Sequence, residues 1–109
     1  MKHIISLVVL GIFAGAVTAL AAGDAKAGKT VYDSKCKLCH GAAGEGNPAV
    51  AKTLKAEFKP LGSKETQAKT DDEIKKQITA GSGKMKAVTG LSDKDVQNVI
   101  AFVRSLAKT

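Results

Sequence analysis

The sequence has no tryptophan, and its aromatic residues are one tyrosine and three phenylalanines among 109 residues. With so few flat side chains there is little to stack on bases, which argues against nucleic acid as the partner of this basic chain. Cysteine occurs only at positions 36 and 39, too few for a disulfide-built scaffold. Histidine and methionine each occur twice, and His3 and Met1 lie at the very N-terminus. No strand pattern precedes or follows the cysteines.

What is present begins with a targeting pattern. Met1, Lys2 and His3 form a short positive start, and an apolar run extends from Ile4 to Leu20. It closes on Ala19-Leu20-Ala21, the small-residue signature of a signal peptidase site. Residues 1–21 therefore read as a secretory signal peptide. The competing reading is an uncleaved anchor, because the run approaches the roughly 20 residues that span a bilayer. The small residues at its end and the Gly23-Asp24 break favour cleavage, and no cysteine stands at the cut to carry a lipid. Residues 22–109 then form one domain of 88 residues, with the net charge reduced from +7 to +6 by loss of Lys2. A chain this short seldom buries enough apolar surface without a staple.

The chemistry centres on Cys36-Lys37-Leu38-Cys39-His40. The spacing C-x-x-C-H is the attachment signature of c-type haem: each thiol adds to one vinyl group, and the adjacent imidazole ligates the iron. Three other readings compete. A thioredoxin-like site wants a βαβ context. Structural zinc wants four ligands, whereas the exported part offers only Cys36, Cys39 and His40. A plain disulfide would explain nothing else in the chain. Export fits the haem reading, and a buried haem would supply the apolar centre that the domain lacks.

Along the chain, Asp24 is a candidate N-cap for a helix from Ala25 to about Lys35, on which Gly28, Val31 and Tyr32 share a face. Gly28 weakens a helix, and is either merely tolerated or compensated by close approach of a second helix. The loop Gly41–Pro48 is glycine-rich, suited to passing close to a flat cofactor, and lacks the lysine–serine/threonine ending of a phosphate loop. Pro48 either starts a short helix over Ala49–Lys55 or sets its carbonyl against the free ring nitrogen of His40. Pro60 and Gly62 mark a turn, and Leu54, Phe58 and Leu61 either contact a cofactor or pack in ordinary core, with core the default. Thr70-x-x-Glu73 opens a helix that carries Ile74 and Ile78 and stops at Gly81. Ser92-x-x-Asp95 opens the last, reaching about Ala107 with Val96, Val99, Ile100, Val103 and Leu106 on one stripe and Phe102 beside it.

Met85 sits between these helices in the loop Gly81–Lys86. Once the signal is removed it is the only methionine, as His40 is the only histidine. An iron held by His40 thus has one soft partner, the Met85 sulfur.

This order resembles a small monohaem class I c-type cytochrome of the bacterial c6/c553/c551 kind: a helix with glycine and aromatic, C-x-x-C-H, a lone loop methionine, then an amphipathic helix. The resemblance covers residues 23 to 107. It implies an all-α class I cytochrome c fold, three to five short helices wrapped around one haem c bound through Cys36 and Cys39. It further implies His40 and Met85 as axial ligands, a crossing of Gly28 and Tyr32 against the Phe102 helix, and Pro48 near His40. The expected role is periplasmic electron transfer rather than enzymatic catalysis. The expected protein is a monomer with no stable membrane insertion after cleavage, docking to redox proteins with acidic surfaces and not to nucleic acid. The alternatives are a haem enzyme or sensor with a displaceable Met85, and a subunit of a larger redox complex. One departure stands out: relatives commonly place proline after the methionine, and here it is Lys86. With Lys84 and Lys86 flanking, displacement of Met85 by a lysine amine at alkaline pH is expected.

Overall fold

The computed structural model describes residues 23–108. The signal-peptide reading of residues 1–21 falls outside that range. Among the described residues the architecture is all-α: α1 (Ala25–Lys35), α2 (Lys37–His40), α3 (Pro48–Leu54), α4 (Lys64–Gln67), α5 (Asp71–Ala80) and α6 (Asp93–Ser105). α2 and α4 are single turns of four residues, so four longer helices carry the fold. None is long and apolar enough to cross a membrane.

Local chemistry sets most of the ends. The Asp24 carboxylate accepts from the amides of Lys26 and Ala27 at 2.9 and 3.3 Å and opens α1. The Thr70 hydroxyl accepts from Glu73 at 3.1 Å, and Asp71, Asp72 and Glu73 place negative charge at the positive end of α5. Ser92 and Asp95 form a reciprocal capping box on α6, both bonds 3.1 Å. α6 ends at Ser105, short of Ala107, because the following chain turns away and Lys108 donates to the Gly62 carbonyl at 3.0 Å. α4, capped by Ser63, is one turn long, too short to leave a periodic trace in sequence.

The frame is the crossing of α1 on α6. A Cβ on Gly28 would stand 1.8 Å from the Asn98 carbonyl oxygen, so only glycine lets the two backbones meet there. Asn98, buried beside it, accepts from the Asp24 amide at 2.8 Å. Tyr32 is fully buried and packs on Phe102 with ring centroids 4.8 Å apart. Ile74 and Ile78 of α5 join Val96, Val99, Ile100 and Val103 of α6 in the core. Arg104 ties α6 to the start of α5, donating to the carbonyls of Gln67 and Lys69 and pairing with Asp71 at 2.7 Å. The frame leaves α2, α3 and the Met85 loop around a cavity.

Candidate functional site

Cys36, Cys39, His40 and Met85 all line one cavity of about 1050 Å³. That is the upper end of the ~300–1,000 Å³ usual for ligand pockets. Two separate stretches of chain bring the four together. α2 directly follows α1, so the crossing that buries Tyr32 also places both cysteines and the histidine. The Met85 loop follows α5, whose Ile74 and Ile78 anchor it to the core, and Met85 itself packs against that core.

The carbonyls of α2 are satisfied one by one. Asn47 donates its side-chain amide to Leu38 at 3.0 Å and its backbone amide to Cys39 at 2.9 Å. Gly46 donates to the His40 carbonyl at 2.7 Å, and the Tyr32 hydroxyl donates to that of Gly41. The same Asn47 side chain also caps α3, accepting from Ala49 and Val50 at 3.0 and 3.4 Å. The glycine-rich loop thus serves the motif turn directly. Asn47 was not singled out from sequence, although an asparagine before proline is a helix-start signal that marks it.

Pro48 is the first residue of α3, where its carbonyl belongs to the helix's own ladder. The other reading, in which that carbonyl accepts from the His40 ring, is not met: the His40 Nδ1 is buried without a hydrogen-bond partner. The His40 ring meets Phe58 edge-on at a centroid distance of 5.5 Å. Leu54, Phe58 and Leu61 line the cavity. Leu61 also packs against the core, as the default has it, whereas Leu54 is 41% exposed, so for it the core assignment needs correcting.

Electrostatics narrow the chemistry. Burial holds the His40 imidazole below its ordinary value, so it is neutral with a free lone pair at pH 7. Burial, and then the neighbouring Cys39, push the Cys36 thiol up to about 11. A thiol–disulfide exchange site needs the opposite shift. Both cysteines are free thiols, which removes the plain disulfide. Among the described residues no cluster of three or more His, Cys, Asp or Glu is placed to hold a metal ion, as zinc would require. Six lysines line the cavity (Lys35, Lys55, Lys59, Lys69, Lys84 and Lys86) against two glutamates, Glu57 and Glu65.

Two thiols, a neutral imidazole and a thioether around one cavity with Val50, Leu54, Phe58, Leu61 and Val88 among its walls suit a flat iron porphyrin.

A family profile described as "Cytochrome C oxidase, cbb3-type, subunit III" matches residues 23–103. Cytochrome c6 of Rippkaea orientalis (strain PCC 8801 / RF-1) is 39% identical over 114 residues, covering 99% of this chain and 96% of its own. Cytochrome c-554(547) of Halothiobacillus neapolitanus is 31% identical over 90 residues, covering 78% of this chain and 99% of its own. Among solved structures, the KustC0563 c-type cytochrome is similar with a TM-score of 0.63 at 28% identity, over 74% of this chain and 98% of that one.

Proposed function

This chain belongs to the small class I c-type cytochromes, and from that premise we propose that it is a periplasmic carrier of single electrons. The observation that carries the reading is the meeting of Cys36, Cys39, His40 and Met85 on one cavity. Cys36 and Cys39 would hold one haem covalently through their sulfurs, and His40 and Met85 would ligate its iron. Bound there, haem supplies a ferric/ferrous couple. The imidazole, kept neutral by burial, offers its lone pair without first losing a proton. Phe58, Leu61 and Val88 give the cavity apolar wall. With His40 and Met85 both committed to the iron, no position would be left for a substrate, which supports a carrier over an enzyme.

Export is supported by the positive start, the apolar run from Ile4 to Leu20 and its Ala19-Leu20-Ala21 end. The excess of lysine around the cavity supports docking to acidic redox proteins, where attraction speeds encounter more than it strengthens binding.

The test is the optical spectrum of the exported, haem-loaded protein in both oxidation states, extended into the far red. A low-spin spectrum with the weak methionine–ferric band is expected, together with a mass for one haem on a chain starting near Ala22. A high-spin ferric spectrum would rule out paired His40/Met85 ligation. A second reading, a subunit held in a larger redox complex, is favoured by the oxidase-subunit description of the matching family. Co-purification of partner chains from native membranes would select it.

A further inference from the structure

The loop that carries Met85 is pinned at three points. Ser82 and Met85 exchange both backbone hydrogen bonds, each 2.9 Å, around a two-residue turn. Gly83 takes the first turn position with φ of 55°, the conformation a type II′ turn asks of glycine. On the exit side, Val88 donates to the Ile78 carbonyl of α5 at 2.7 Å. The third point is Lys84 at the tip. Its ammonium leaves the loop and donates to the carbonyls of Leu54 at 2.8 Å and Lys55 at 2.6 Å.

Those two carbonyls are good receivers. α3 closes with Ala56 donating to Ala51 at 2.9 Å and Lys55 to Lys52 at 3.3 Å, around a left-handed Lys55 at φ 51°. That is a Schellman closure, and it leaves the Leu54 and Lys55 carbonyls over at the negative end of the helix. Lys84, Met85, Leu54 and Lys55 all line the cavity, so the bonds run from one of its walls to another.

We propose that Lys84 is a positioning residue for Met85: by donating to the Leu54 and Lys55 carbonyls it closes the methionine loop against α3 and holds Met85 in the cavity it shares with His40. The proposal rests on the reading of Met85 as an iron ligand. It gives the loop, from outside, the stiffness that a proline after the methionine would supply and Lys86 does not. It also removes Lys84 from the amines free to compete for the iron.

The experiment is an imidazole titration of the ferric holoprotein, followed by loss of the methionine–ferric band, in wild type, Lys84→Gln, Lys84→Arg and Lys86→Gln. Lys84 is exposed, so these variants fold. Lys84→Gln is expected to bind imidazole roughly three- to tenfold more tightly, the size of one charge-assisted hydrogen bond lost near solvent. Lys84→Arg keeps a donor. Lys86→Gln removes an equal charge from a residue that makes no side-chain hydrogen bond among the described residues. Both should stay within about twofold of wild type. Amide exchange at Met85 should quicken in Lys84→Gln alone. Wild-type behaviour of Lys84→Gln, or equal effects from Lys86→Gln, would overturn the proposal and leave Met85 ligation standing. A wild type without the methionine–ferric band would instead overturn the ligation reading, and this inference with it.

Discussion

The Tyr32 hydroxyl donates to the carbonyl of Gly41, the residue that follows His40. The ring of the same tyrosine is fully buried against Phe102. One side chain therefore joins the α1–α6 crossing to the turn that presents the cysteines and histidine. Tyr32→Phe keeps the ring contact and strands the Gly41 carbonyl. A loss of about 1–2 kcal/mol is expected in denaturant unfolding, with the fold intact by circular dichroism.

The same residue sets a pH dependence. Burial first, then the charges of Cys36 and Glu45, push the Tyr32 hydroxyl from 10.0 up to about 12. The unfolded chain therefore loses this proton before the folded one does. Its contribution is complete below pH 10 and is lost as pH rises towards 12, a fall of roughly 2–3 kcal/mol at most. Unfolding free energies measured below and above pH 10 should diverge in wild type. Tyr32→Phe should lack this component.

Gly28→Ala sets a methyl group against the Asn98 carbonyl, a backbone atom that cannot swing aside. The helix gains about 1 kcal/mol of propensity, and overpacking costs more. A net loss of about 2 kcal/mol is expected from the midpoint of urea unfolding; a neutral or stabilising result would mean that the crossing opens freely.

Met85→Ala removes both the proposed ligand and a contact with the core. Loss of the methionine–ferric band, new binding of exogenous imidazole or carbon monoxide, and a stability cost of about 2 kcal/mol or more are expected together. Retention of the band would show that the sulfur is not on the iron.

Asn47 uses both ends of its side chain, so its variants separate two roles. Asn47→Asp keeps the cap on α3 and loses the bond to the Leu38 carbonyl. Asn47→Ala loses both. The expected costs are about 1 and about 2 kcal/mol, read by thermal or denaturant unfolding.

The lysines around the cavity predict a salt dependence. Electron-transfer rates with a partner of acidic surface should fall steeply as ionic strength rises, and Lys→Gln changes at Lys55 or Lys69 should flatten that slope. Rates independent of salt in stopped-flow measurements would remove the acidic-partner reading.

Features held within a few consecutive residues were legible in the sequence. C-x-x-C-H, the caps at Asp24, Thr70 and Ser92, and the α6 stripe each need only neighbours in the chain. Gly28 was ambiguous, because tolerance and necessity look the same until the Asn98 carbonyl is seen opposite it. α4 was missed because one turn has no period. Leu54, Phe58 and Leu61 could not be divided between core and cofactor contact, because an apolar side chain says only that it avoids water, not whether protein or a ligand covers it.

The sequence by itself determined which thiols, imidazole and thioether are present and in what order, since spacing is local and residues 22–109 have one histidine and one methionine. It also determined the amphipathic helices that must find partners. Only the tertiary structure decided that Met85 shares a cavity with His40, that the Pro48 carbonyl stays in its helix, and that Lys84 reaches the end of α3. Each of these depends on where two backbones cross, and that is settled by packing of the whole chain.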